Sequence, residues 1–298
     1  MSFAKFADHM DQQSLLTWRI LSVASSLKQP FPEPSITSWA LLSLAHFADS
    51  AGLPISIKQI SAVQENKLGA DFEFFVRLHD GNFFALSMQA KRVHLAQRHP
   101  VYTELGHPGL APGTFQYDTL IDHSSQIGSI PIHVLYNGWR RRDPYLPFAH
   151  LDDEDRELFG CAAISTHKLR SIREGRGPAA KSNTNKLMHF VDFVFPWSDL
   201  FRLEQRSGSA TNNAPNAVTS LPPTPSSPRL RGGFGVEEDF SKLAAYLTDS
   251  DLQGAASGII SSLPRYVDRA PSDDPPNDPH LPAFALVLGG ETRGRYHG

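Results

Sequence analysis

Two neighbouring apolar segments carry four polar residues whose types and spacing suggest chemistry: Asp71, Glu73, Gln89 and Lys91. The segments, 70–78 and 83–91, flank His79-Asp80-Gly81-Asn82, a strong hairpin signal. Side chains alternate along a strand, so Asp71 and Glu73 share one face of the first segment, and Ser87, Gln89 and Lys91 share one face of the second. The apolar faces must coincide, or one strand would turn its apolar set to water. With Leu78 set opposite Phe84, Glu73 falls opposite Gln89 and Asp71 opposite Lys91, which makes one polar cluster at the end of the hairpin. A carboxylate oxygen of Asp71, the side-chain carbonyl of Gln89 and the main-chain carbonyl of Ala90 form the hard-oxygen set that Mg²⁺ or Mn²⁺ prefers. A divalent ion held there would bind a phosphate and lower the pKa of a water. Lys91 would orient that water and stabilise charge developing on phosphorus. This is metal-assisted phosphodiester hydrolysis, with Asp71, Gln89, Lys91, Glu65 and Glu73 as candidate catalytic residues. Glu33, ahead of the expected buried helix, could add a further carboxylate, and Gly69 permits a tight backbone entry to Asp71. An ordinary cross-strand Asp–Lys pair on a surface hairpin fits the same residues, and such pairs are individually weak.

The cluster needs a frame, and the hydrophobic pattern supplies one. Residues 15–27 read as a helix. Residues 35–49 read as a second helix, with Ser35 or Thr37 as N-cap after Pro34 and with few polar gaps between Ile36 and Phe47, so it is expected to be buried. Residues 55–64 read as a strand ahead of the hairpin. Residues 117–127 read as a helix ending near Gly128, and 130–136 as a compact apolar strand closed by Asn137-Gly138. Residues 161–165 and 190–195 read as short strands. From 35 to 136 the predicted order is therefore helix, three strands, helix, strand.

Glu65-Asn66-Lys67-Leu68-Gly69-Ala70-Asp71-Phe72-Glu73 followed by Met88-Gln89-Ala90-Lys91 resembles the (E)…GAD…QAK signature of the Mrr-like, QxK branch of the PD-(D/E)xK, or restriction-endonuclease-like, nuclease superfamily. The wider stretch 33–201 looks like an uncharacterised bacterial domain family with a GADWEWW-like strand, a QAK strand, a Tyr-led helix and a P-x-x-V-x-Y-N strand, here Gly69–Phe75, Gln89–Lys91, Tyr117–Leu120 and Pro131–Asn137. The resemblance implies an α/β fold with an αβββαβ core and a mixed central sheet flanked by helices. It implies a Mg²⁺- or Mn²⁺-dependent endonuclease acting on nucleic acid, with DNA the expected substrate. It carries site roles onto Asp71, Gln89 and Lys91, and onto Glu65, Glu73 and Glu33. Ala70 stands where the superfamily name has proline. Gln89 stands where many members have a second acid, which removes one negative charge from the metal site.

Length and composition agree with such a chain. The sequence has 298 residues, 40 % hydrophobic and 20 % charged, ordinary for a globular protein of one or two domains. The net charge of −3 means that any nucleic-acid surface must be a local basic patch. Arg140, Arg141 and Arg142, with Lys168, Arg170 and Arg173, are the candidate phosphate contacts, against a reading as solvated surface. One cysteine, Cys161, excludes an internal disulfide framework and reads as a packing residue. Of the thirteen histidines, His94, His99, His107 and His123 lie near the site in sequence, with no tight metal-ligand spacing. Tyr117 reads as core or as a substrate contact. No leader-like segment is readable in 1–13, and no apolar run nears the ~20 residues that span a bilayer, so the expectation is a cytoplasmic protein with no membrane partner. Residues 1–204 are the expected nuclease-like domain, with its core at 33–137. Residues 205–235, rich in Ser, Pro, Asn and Gly, read as a flexible linker, and 236–298 as a helix at 236–247 followed by a loose tail. Two other readings stay open. One is a nuclease-like binding module that does not cleave; the other is a toxin or effector whose tail contacts a protein partner. A homodimer is compatible with either.

Overall fold

The computed structural model describes residues 3–29, 31–78, 80–96, 99–109, 111–139, 146–175, 184–202 and 258–264. Apolar and small residues recurring every three or four positions (Phe6, Met10, Thr17, Leu21) wind the start of the chain into one helix, α1 (Phe3–Leu27). It begins well before residue 15, because Asp8, His9 and Asp11 fall between the buried positions and do not interrupt its apolar stripe. Helix α2 (Glu33–Ser50) follows, with Pro34 in its first turn, where a missing N–H does no harm.

Strand β1 (Ile55–Gln59) is shorter than expected. The chain leaves it at Ile60 and winds α3 (Ala62–Leu68), whose C-cap Gly69 takes φ +69. Glu65 therefore sits on a helix rather than in a strand extension, and Val63, which would continue a strand pattern, is exposed. Strands β2 (Phe72–Arg77) and β3 (Phe83–Arg92) form the expected antiparallel hairpin. Its register differs by two residues from the expected one. Leu78 N–H donates to Asn82 O at 2.8 Å, Asp80 Oδ1 accepts from Asn82 N–H, and Gly81 takes φ +86, so the loop closes with three residues. Glu73 then pairs with Ser87, not Gln89, and the same register extended by one residue sets Asp71 against Gln89, not Lys91. A two-residue shift preserves the faces, so the polar set stays together.

After the small β4 (His94–Ala96) and β5 (His99–Val101) hairpin come α4 (Gln116–Ile127) and β6 (Ile130–Tyr136), the latter parallel to β3. The short α5 (Asp153–Glu157), β7 (Cys161–Ser165), α6 (Thr166–Arg173) and the two-residue β8 (Phe195–Pro196) follow. Of the expected strand at 190–195, Val191–Phe193 is a 3₁₀ turn and only Phe195 enters a strand.

The protein is α/β, with a mixed sheet in the order β1-β2-β3-β6-β7-β8 flanked by helices. Its centre follows the predicted order of helix, three strands, helix, strand, with α3 and the β4–β5 hairpin as insertions. One sheet face buries Phe72, Phe74, Leu86, Met88, Ile132 and Val134 against α1 and α2. Each such side chain contributes roughly 1.5–3 kcal/mol of transfer free energy. The opposite face meets α4 and α6, through Tyr117, Leu135, Leu169 and Ile172. From the stretch read as a tail, β9 (Ile259–Ile260) pairs with Phe83 and Phe84 of β3, beyond the reach of β6. The expected linker at 205–235 and helix at 236–247 lie outside the described residues. No helix among the described residues is long and apolar enough to cross a membrane.

Candidate active site

Strand β3 outruns β2. The ladder between them ends at Phe72 and Met88, so the N–H groups of Ala90 and Arg92 have no strand on that edge. Two carboxylates take its place. Asp71 Oδ2 accepts from Ala90 N–H at 2.5 Å, and Glu33 Oε2 accepts from Arg92 N–H at 2.5 Å. Lys91 lies between these two anchored positions, 3 % exposed and beside Leu135 of β6. Glu33 is brought there by the first turn of α2. Glu65 is brought by α3 and held by Gln116 Nε2 at 2.9 Å. Gly69 makes that approach feasible: a Cβ on it would stand 2.5 Å from Leu120 N and 2.8 Å from Gln116 O.

The result is an end of the sheet with three half-buried acidic residues and the buried ammonium of Lys91. Burial pushes the Glu33 carboxyl up to about 7; Lys91 and the Arg92 N–H oppose this, and Glu104 and Glu65 add to it. Burial likewise holds Asp71 well above the ordinary carboxylate range, against the pull of Lys91, with Glu65 and Glu33 adding to the rise. Burial thus favours the protonated form of both acids until a cation arrives. Gln89, 1 % exposed, contributes no charge, and its Nε2 finds no hydrogen-bond partner among the described residues. Across from Gln89, His133 bonds Thr166 Oγ1 at 2.9 Å; burial, with Lys91 and Arg173 nearby, lowers its pKa to about 3, so it stays neutral.

Residues 6–285 match the model of a family of unknown function (DUF6615). The chain belongs to that family. Comparison with the curated proteins gives no match. The DUF6615 match begins in α1 and runs past β9, so it takes in the whole described sheet and not only the hairpin.

Within this DUF6615 chain the expected site residues divide. Asp71, Gln89, Lys91 and Glu65 converge with Glu33. Glu73 does not join them. It is fully buried one step back along β2, where Ser87 Oγ donates to its Oε1 at 3.0 Å and His123 Nε2 lies 2.9 Å from the same oxygen. Ser129 Oγ extends the network, 2.7 Å from Ser87 Oγ. Glu73 therefore ties α4 to the hairpin, because a buried carboxyl needs partners and finds them there. His123 belongs to that tie and not to a metal set.

The basic candidates divide as well. Arg173 is 5 % exposed, donates to Thr184 O at 2.9 Å and lies over the rings of Phe115 and Tyr117, so it packs rather than presents a free charge. Tyr117 is likewise core, 2 % exposed. Arg170 is shared between Glu174 at 2.8 Å and Asp118 at 3.2 Å. Lys168 Nζ lies 4.5 Å from the Phe193 ring centroid. Arg140, Arg141 and Arg142 lie outside the described residues. Among the described residues, no three His, Cys, Asp or Glu side chains close into a metal-binding group. Any ion here would rely on Asp71 together with neutral oxygens, such as the Gln89 amide and the Ala90 carbonyl, and on water. That donor chemistry suits a hard dication and not zinc. Sequence reasoning missed Gln116 and His133, since neither stands in a motif and only the fold brings them to the site.

Proposed function

We propose that this protein is a Mg²⁺- or Mn²⁺-dependent nuclease that hydrolyses phosphodiester bonds, with DNA as substrate and a restriction-endonuclease-like core. The observation that carries this reading is the end of β3, where Asp71 and Glu33 clamp the main-chain amides on either side of the buried Lys91 and Glu65 lies nearby. A divalent ion supplies Lewis acidity and a water of lowered pKa when bound. Asp71 and the carbonyl oxygens of Gln89 and Ala90 would hold it, and Glu65 and Glu33 would add negative charge nearby. Lys91, fixed between the two clamped amides, would hold the attacking water and stabilise charge on the phosphoryl oxygens. The burial of Gln89 and Lys91 keeps bulk water from screening these interactions.

The test is nicking of supercoiled plasmid in Mg²⁺ or Mn²⁺ by wild type and by Lys91→Ala, with purification in parallel. Metal-dependent nicking that disappears in the variant supports the proposal. Equal nicking by both places the chemistry elsewhere. A second reading, a nuclease-like module that binds nucleic acid or a protein without cleaving, draws on the lack of a three-ligand group among the described residues. It predicts metal or DNA binding by wild type with no nicking.

A further inference from the structure

Gln116, the first residue of α4, takes no part in the chemistry outlined above, yet it is buried, 7 % exposed. A long polar side chain pays for such a position only with a partner. Its partner is Glu65 Oε1, to which Nε2 donates at 2.9 Å across two helices. The Gln116 main chain is itself fixed: its N–H donates to His107 O at 3.0 Å, and its carbonyl oxygen lies 2.8 Å from where a Cβ of Gly69 would stand. At the other end the Glu65 main chain is fixed within its own short helix, by Glu65 N–H to Ser61 O at 2.8 Å and Gly69 N–H to Glu65 O at 2.7 Å. Helix α3 is seven residues long and buries none of them, so its own packing does not decide where Glu65 points. Yet Glu65 is one of the charges felt by both Asp71 and Glu33.

We propose that Gln116 is a positioning residue of the candidate metal site, which holds the Glu65 carboxylate toward Asp71 from the rigid base of α4. This inference rests on the reading of the Asp71 end as a metal site. A neutral amide suits the task, since it donates without neutralising the carboxylate that the ion would need. A carboxylate at 116 would repel Glu65, and an apolar side chain would release it.

The experiment is a double-mutant cycle on the full chain, with Mn²⁺ affinity read by titration calorimetry and by the electron paramagnetic resonance signal of free Mn²⁺. The proteins are wild type, Gln116→Met, Glu65→Ala and the double variant, each checked for native circular dichroism. Gln116→Asn, a methylene too short to reach, stands in if the methionine variant folds poorly. The expected result is a roughly tenfold loss of affinity in Gln116→Met, as for other residues that orient a ligand from behind. The same substitution should cost nothing further once Glu65 is alanine. An undiminished affinity in Gln116→Met overturns the proposal. So does a loss of the same size in the Glu65→Ala background, because Gln116 would then act by packing α4 and not through Glu65. Wild type that binds no Mn²⁺ overturns the metal reading itself, and leaves Gln116 nothing to position.

Discussion

Glu33→Gln should make the metal-free protein more stable at neutral and alkaline pH while weakening its response to metal. The amide keeps an oxygen that can accept from Arg92 N–H, so the clamp on β3 survives and only the titration is removed. In the fold the Glu33 carboxyl titrates at about 7 against an ordinary 4.5, chiefly through burial. Below pH 4.5 both folded and unfolded chains hold the proton, and the group's contribution to stability is fully present. Above that, the unfolded chain loses the proton first, so stability falls as pH rises through 4.5 and on to about 7. That interval of about 2.5 pH units, at about 1.4 kcal/mol each, is worth about 3 kcal/mol at most. Urea denaturation of both proteins in EDTA, from pH 4.5 to 8, reads the difference. The wild-type curve should fall relative to that of Glu33→Gln across this window and run parallel above it. Addition of Mn²⁺ should restore the wild type more than the variant, because a cation favours the ionised carboxyl. Curves that stay parallel from pH 4.5 to 8 would refute the assignment of Glu33 as an acid raised by burial.

Asp71→Ala should abolish both metal binding and nicking, whereas Lys91→Ala should lower nicking by ~10²-fold or more and leave Mn²⁺ affinity largely unchanged, because Lys91 is not a ligand; calorimetry beside the plasmid assay separates the two. Gly69→Ala should destabilise by more than about 2 kcal/mol in urea, since alanine is strained at φ +69 and its Cβ would meet the α4 backbone at 2.5 Å. Gln89→Glu should lower the melting temperature in EDTA by adding a buried charge beside Asp71, and raise Mn²⁺ affinity; a lower melting temperature with no gain in affinity would count against a metal at this rung. Cys161 is fully buried with its thiol pushed up to about 12, so iodoacetamide at pH 8 should leave the native protein unlabelled and label it fully in urea.

The sequence made the hairpin and its faces legible because alternation over Asp71–Val76 and Leu86–Lys91 leaves only one way to bury both apolar sets. It could not settle the register. That depended on a three-residue loop, and on whether Gly81 or a longer turn closed it, which alternation does not distinguish. Glu73 shows the consequence: it shares a face with Asp71, but it pairs with Ser87 rather than Gln89 and meets His123 from α4. Helix α3 was hidden because Ile60 and Val63 look strand-like, while the helix is short and marked mainly by its closing glycine. Strand β9 was hidden by distance. Ile259 and Ile260 sit among residues whose composition reads as a tail, and the slot they fill exists only because β3 is longer than β6. Long-range pairing of this kind leaves no local mark.

The acids of the site are weaker evidence for chemistry than they look. Asp71 and Glu33 would be useful to this fold even if it catalysed nothing, because each satisfies a main-chain N–H where β3 has outrun its neighbour. Glu73 shows how far a carboxyl can be absorbed into structure on the same sheet face. Lys91 is different. Its position, 3 % exposed and beside Leu135, could be filled by leucine or methionine with no charge to bury. An ammonium is tolerated there because the carboxyl groups of Asp71 and Glu33 are near, yet those groups bond main-chain amides and do not need it for that. A buried lysine between two clamped amides, beside the carboxyl groups of Asp71 and Glu33, is the feature that main-chain satisfaction leaves unexplained. The combination of Lys91 with the clamped acids is therefore what most favours the proposed phosphate-and-metal site.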